Sequence, residues 1–179
     1  MAGAVKILPY YTYDDYVQWE GRWELIDGIP HAMSPAPTPK HQLLANNLGG
    51  LFFAALKNCA SCKAYQAIDY KVAEDTILQP DLSVLCQRAT KKFIDFPPAV
   101  VVEILSPSTA LKDRYTKASL YAAQNVPYYI IISPDTDEAE VYVLEEGSYA
   151  LKQNSKLFTY TFQLSEECSA TIDFSEIWQ

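Results

Sequence analysis

The sequence predicts a mixed α/β fold, a sheet flanked by helices, from the spacing of its apolar residues and the order of its segments. Two stretches repeat apolar residues every three or four positions, as helices do. Most others are short alternating or solid apolar runs bounded by Pro, Gly, Asp and Asn. Their order is helix, hairpin, helix, three strands, helix and further strands, which suits a mixed α+β sheet.

Each element has a local cause. Thr12-Tyr-Asp-Asp15 has the spacing of a capping box and opens a short helix through Tyr16, Val17 and Trp19. Trp23 to Ile26 and Ile29 to Met33 flank Asp27-Gly28, a pair that supplies the positive φ of a tight hairpin turn. After the proline-rich loop 34–39, Thr38 caps a helix with Pro39 at its first position. Leu44, Leu48, Leu51, Phe52, Ala55 and Leu56 give that helix its apolar stripe. Segments 63–72, 81–86 and 99–105 read as strands. After the loop Ser106-Pro-Ser-Thr109 a helix runs to about Gln124, where Asn125 takes a left-handed cap. Tyr128 to Ile132, Ala139 to Leu144 and Tyr149 to Gln153 read as strands, the last two joined by a turn at Glu146-Gly147.

At 179 residues, without repeat or linker, the chain predicts one domain, 1–179. No stretch approaches the ~18–20 apolar residues of a membrane span, so no membrane partner is expected. Met1 to Tyr10 lacks the order of an export signal, which makes the expected location cytoplasmic. In that reducing compartment Cys59, Cys62, Cys86 and Cys168 are expected as thiols, with Cys59 and Cys62 packing at a helix end. A zinc role for this C-x-x-C pair lacks a second ligand pair. Net charge is −8, which opposes indiscriminate nucleic-acid binding. Its distribution is uneven: residues 88–117 hold six basic side chains against three acids, and beyond Pro134 ten acids face only Lys152 and Lys156. The middle of the chain is therefore the part suited to a polyanion.

The chemistry-bearing signal is a carboxylate where an apolar residue belongs. Glu103 interrupts Val100-Val101-Val102 and Ile104-Leu105, and burying that charge is costly unless it is paired or binds a cation. Asp81 opens the preceding strand after Pro80. Carboxylates near one end of adjacent strands hold a hard divalent cation, which polarises a phosphoryl oxygen and activates water. A plain ion pair of Glu103 with Arg114 or Lys117 fits the spacing equally. Asp113, Lys117 and Tyr121 share one helix face at four-residue intervals, which puts Lys117 either at the carboxylates or in a surface pair with Asp113.

Several motifs in one order carry a resemblance. Tyr11 to Tyr16, Trp23-Glu24-Leu25-Ile26-Asp27-Gly28, Met33-Ser34-Pro35, Thr38-Pro39-Lys40-His41, Gln79-Pro80-Asp81-Leu82, Val102 to Thr109 and Asp113-Arg114…Lys117…Tyr121 follow one another. From about Tyr11 to Leu144 the chain closely resembles the Uma-type family of putative restriction endonucleases, in the PD-(D/E)XK nuclease superfamily. The resemblance implies a restriction-endonuclease-like core with added hairpins. It also implies Asp81 and Glu103 as metal ligands, Glu24 as a further outer ligand or water holder, and Mg²⁺ or Mn²⁺ as cofactor. The superfamily's lysine two residues after the glutamate is replaced by Leu105, and the family's lysine corresponds to Lys117. The glutamate the family often carries in its late strand is here Tyr128, which takes no role.

His41 reads as a surface residue over a phosphate contact, and His31 as structural. Ser106 and Ser108 are not nucleophiles, because no histidine follows Glu103 to act as base. The expected function is metal-dependent hydrolysis of DNA phosphodiesters by Asp81, Glu103, Lys117 and Glu24, in a homodimer by analogy with duplex cutting. The alternative is a nuclease-fold module that binds nucleic acid or protein without cutting.

Overall fold

The computed structural model describes residues 9–33 and 36–179. Most of the stretch weighed as an export signal lies outside the described residues, as do Ser34 and Pro35 of the Met33-Ser34-Pro35 motif. Helix α1 (Tyr13–Tyr16) opens as its capping box requires, the Thr12 N–H donating to Asp15 Oδ2 at 2.9 Å. Strands β1 (Trp23–Ile26) and β2 (Ile29–Ala32) pair as a hairpin, with Asp27 and Gly28 at φ 49° and 74°. Both positive angles match the right-handed twist of paired strands. A Cβ at Gly28 would lie 2.3 Å from the Tyr10 ring, so glycine is required there twice over. Helix α2 (Pro39–Ala55) starts with Thr38 Oγ1 accepting from the His41 N–H at 3.2 Å. It buries Leu44, Leu48 and Phe52, the stripe its sequence announces.

Segment 63–72 departs from expectation. Ala67 turns to φ 48°, and the chain divides into β3 (Lys63–Gln66) and β4 (Tyr70–Ala73), which enter different sheets. A short strand with no forecast, β5 (Thr76–Leu78), then completes a four-stranded sheet of order β2-β1-β5-β4. The main sheet adds β6 (Leu82–Leu85), β7 (Val100–Ile104), β8 (Tyr128–Ser133), β9 (Glu138–Glu145) and β10 (Ser148–Ser155), in the order β10-β9-β8-β7-β6-β3. Only β7 and β8 pair in parallel, which forces a crossover between them. That crossover holds a π-helical turn (Lys112–Lys117) running into α3 (Ala118–Ala123). It closes at Asn125, whose φ of 59° is the expected cap. A hairpin, β11 (Thr159–Gln163) and β12 (Ser169–Asp173), and a 3₁₀ turn (Phe174–Trp178) end the chain.

The main sheet is covered on both faces. Leu82, Val84, Val100, Val102, Ile130 and Ile132 pack in one core with α2, the β11–β12 hairpin and the C-terminal turn. The residues between them in sequence, among them Leu85, Val101, Tyr129 and Ile131, face a second core with Tyr121 and the smaller sheet. Strand alternation therefore assigns Glu103 to the second face, under the crossover. No helix among the described residues is long and apolar enough to cross a membrane.

The expectation of thiols is overturned. Cys59 bonds Cys168, and Cys62 bonds Cys86. Register explains the second bond: Lys63 pairs with Leu85, so the next residues outward, Cys62 and Cys86, face each other. The first joins the end of α2 to the β11–β12 hairpin across 109 residues, a proximity only the fold creates. The C-x-x-C cysteines thus bond outward and not to each other, while both pack in the core beyond the end of α2, as expected. The basic middle segment is also less open than its composition suggests. Lys91, Lys112, Arg114 and Lys117 each pair with a carboxylate.

Candidate active site

Strand register brings the two sequence-predicted acids together. Leu82 pairs with Val102 at the end of the β6–β7 ladder, so Asp81 and Glu103 come next on the two strands, and the Asp81 charge acts on Glu103. The Ile104 N–H donates to Asp81 Oδ2 at 2.8 Å, which ties the loop end of β6 to β7. His41 Nε2 stands 3.4 Å from the same oxygen, so His41 is half-buried against Asp81 and is not the surface residue expected. Burial alone would discharge this imidazole, but Asp81 outweighs it and raises the pKa above the ordinary histidine value.

Lys117 lies at the centre. It is 2 % exposed, with Nζ 2.7 Å from Glu24 Oε1, 2.9 Å from Glu103 Oε1 and 3.3 Å from Asp113 Oδ1. The last approach is an ion pair without hydrogen-bond alignment, and Asp113 Oδ1 finds no hydrogen-bond donor among the described residues. The π-turn explains the convergence. The Ala118 N–H bonds back to Asp113 O, five residues away. Four residues overshoot a full α-helical turn but fall short of a π-helical one, so π followed by α keeps Asp113, Lys117 and Tyr121 in one inward row. The surface Asp113–Lys117 pair that the spacing also allowed is therefore a buried one. Tyr121 Oη donates to Glu103 Oε1 at 2.6 Å.

Glu24 comes from β1, on the other sheet, and is fully buried. Its Oε1 accepts from the Gln79 N–H at 3.1 Å as well as meeting Lys117, and its Oε2 accepts from Lys112 at 2.5 Å. Both oxygens are thus engaged by protein donors. His31, which pairs with Glu24 across this hairpin, has its pKa lowered by burial and by Lys112. Ser106, Ser108 and Thr109 bond among themselves in the loop.

The electrostatics follow from an imbalance. Glu24, Glu103 and Asp113 share two lysines, Lys112 and Lys117, while Asp81 lies against His41. Burial opposes the charge of Glu24, yet Lys117 and Lys112 outweigh it and hold the carboxyl below the usual range. Glu103 goes the other way. Burial pushes it well above the carboxylate range, and Lys117 offsets this only in part against Asp113, Asp81 and Glu24. Asp113 is raised by burial for the same reason. Burial would also discharge Lys117, but Glu103, Glu24 and Asp113 prevail and keep it protonated.

Among the described residues no three histidine, cysteine, aspartate or glutamate side chains form a ready ligand set. A magnesium ion needs no such set, since one or two carboxylates commonly hold it while waters complete its shell. Glu103 takes its hydrogen bonds from Lys117 and Tyr121 on Oε1, and Asp81 takes its own on Oδ2. Among the described residues no hydrogen bond engages the second oxygen of either. Asp81 and Glu103 therefore fit a divalent ion. Glu24 is brought to the site but is committed to lysines.

A comparison with family models matches residues 13–172 to Uma2, described as putative restriction endonuclease. The chain belongs to this family. An uncharacterized Synechocystis protein, slr1290, is 32% identical over an alignment covering 75% of this chain and 74% of that one. A solved structure of a putative nuclease belonging to DUF820, from Anabaena variabilis, superposes with a TM-score of 0.74 at 16% identity. It covers 93% of this chain and 97% of its own. That likeness shows the fold, a mixed α+β structure on a mixed central sheet, as expected. Lys112 and Asp113 join this buried cluster although the sequence reading gave them no place in a site. Asp113 had a signal in its four-residue spacing from Lys117, whereas Lys112 meets a partner 88 positions away and had none.

Proposed function

We propose that this Uma2 protein hydrolyses phosphodiester bonds of DNA with a divalent cation, Mg²⁺ or Mn²⁺, held by Asp81 and Glu103. One observation carries the proposal: Asp81 and Glu103 follow directly on the Leu82–Val102 pair, close enough for the Asp81 charge to act on Glu103, and each has an oxygen free of hydrogen bonds. A bound divalent ion supplies charge neutralisation to a phosphoryl oxygen. Lys117, kept protonated by its three acids, is a donor and not a base. It offers positive charge to a phosphoryl oxygen or a hydrogen bond that orients water. Glu24 positions Lys112 and Lys117 and is not assigned to the metal. Ile104 and His41 fix one oxygen of Asp81 and so aim the other. Cutting a duplex needs two such centres, so a homodimer belongs to this reading.

A second reading, a fold that binds without cutting, is favoured by one observation. Lys117 already occupies the carboxylate cluster, and Glu103 is only 3 % exposed. Calorimetric titration of Mn²⁺ into wild type and Asp81→Ala, with plasmid nicking on the same samples, separates the two. Binding and nicking that vanish together in the variant support hydrolysis at Asp81 and Glu103. Neither in wild type at millimolar Mn²⁺ overturns it in favour of the binding module.

A further inference from the structure

Beyond Gln79 lies a cleft of about 360 Å³ lined by Tyr16, Trp19, Trp23, Arg22, Asp69 and Gln79. The volume is that of a small-ligand site. Trp19 meets Tyr16 and Trp23 at interplanar angles of 64°, with centroids 5.7 and 5.6 Å apart. Trp19 also meets Tyr11 edge to face at 5.2 Å, so the cleft wall is a cluster of aromatic rings.

The cleft shares a wall with the proposed site. The Gln79 backbone N–H donates to Glu24 Oε1 at 3.1 Å. Its side chain accepts from Arg22 Nε at 2.9 Å and donates to Asp69 Oδ1 at 2.9 Å. Two residues further on is Asp81. Trp23, in the cleft, directly precedes Glu24 on β1. Neighbouring strand residues leave opposite faces, Glu24 into the buried cluster and Trp23 to the cleft, so Gln79 is the residue that joins the two.

Charge favours a base as the occupant. The protein carries −8, and most basic side chains near the site are already paired with acids. Counterion release on phosphate contact is then a small source of affinity. Aromatic rings offer the alternative source, stacking, while Gln79 and Asp69 are bonded to Arg22, Tyr16 and each other.

We infer that this cleft binds one unpaired nucleobase of the nucleic-acid strand, stacked on the Trp19–Trp23 rings and flanked by Arg22 and Lys92. It rests on the nuclease reading and names how that site takes its strand.

Two of the chain's three tryptophans lie at the cleft, so intrinsic fluorescence reports its occupancy. Full-length protein in EDTA is titrated with a single-stranded deoxyribonucleotide octamer and with an abasic octamer of equal phosphate count. The base-bearing octamer should quench saturably, with a shallow salt dependence, and the abasic one should bind about tenfold more weakly, the worth of one lost stack. Trp19→Leu should weaken octamer binding by a similar factor. Trp19→Phe, which keeps a ring, should restore most of it and so separates lost stacking from lost folding. Equal binding of the two octamers overturns the inference, as does a Trp19→Leu protein that melts like wild type and binds as tightly. Base-specific quenching by a protein that never nicks with Mn²⁺ upholds the cleft and removes the hydrolytic reading. Nicking without base-specific quenching does the reverse.

Discussion

Arg114 and Lys117 leave the same π-turn three residues apart and meet acids in opposite ways. Their acids lie in one row across the sheet, Glu103 on β7 and Glu140 on β9, both in register with Ile131 on β8. Arg114 gives one guanidinium to one carboxylate, with NH1 and NH2 at 2.8 and 2.6 Å, and the Tyr142 hydroxyl completes Glu140. Burial works against that carboxylate, but the Arg114 and Tyr142 hydrogen bonds outweigh it and hold Glu140 below the ordinary range. Lys117 has three acids to serve, and two of them, Glu103 and Asp113, are left above that range. Where charges balance, an ion pair is scaffold. Where buried carboxylates outnumber cations, the fold carries a cost that a proton or another cation relieves. The difference marks out the site without reference to any relative.

The largest test of this contrast is Lys117→Met. It strips the ammonium from three buried carboxylates, and the expected loss is about 3–5 kcal/mol of stability with complete loss of nicking. Thermal melts with Mn²⁺ should recover more stability in the variant than in wild type, because the ion then meets a larger charge excess. No extra recovery would break the comparison. Next comes Tyr121→Phe, which removes a buried hydrogen bond to Glu103 and should cost about 1.5–3 kcal/mol in denaturant unfolding. Arg114→Met should cost less, about 1 kcal/mol, since the guanidinium is 32% exposed and partly screened. It should leave Mn²⁺ affinity unchanged in calorimetry; altered affinity would mean that the two clusters are one system.

The smallest effect is in pH. Glu103 has a folded pKa raised above its unfolded value by burial, so between the two the folded protein binds more protons than the unfolded one. Stability in EDTA should therefore fall as pH rises from the ordinary carboxylate range through the raised one. Glu103→Gln does not titrate, and its melting temperature should decline less across that window. Parallel curves for variant and wild type would show that Glu103 is ionised throughout.

Local signals in the sequence were strong where a residue type answers a local need. Asp27-Gly28 is legible because positive φ is, Thr38-Pro39 because a helix start leaves N–H groups to satisfy, and Glu103 because a carboxylate conflicts with its apolar run. Signals failed where the cause lies far along the chain. The break at Ala67 is fixed by two sheets competing for one segment, and the cysteine pairs by strand register and the placement of the last hairpin. His41 has nothing nearby in sequence to announce Asp81, forty residues on.

By itself, then, the sequence determined the mixed sheet with flanking helices, the acid in an apolar strand and the shared face of Asp113, Lys117 and Tyr121, because periodicity and local polarity encode them. Only the tertiary structure decided that Lys117 is shared among three carboxylates, that Glu24 is held by lysines, and that the cysteines are bonded. Those outcomes depend on which strands become neighbours, and pairing between distant segments is settled by packing and register, not by local propensity.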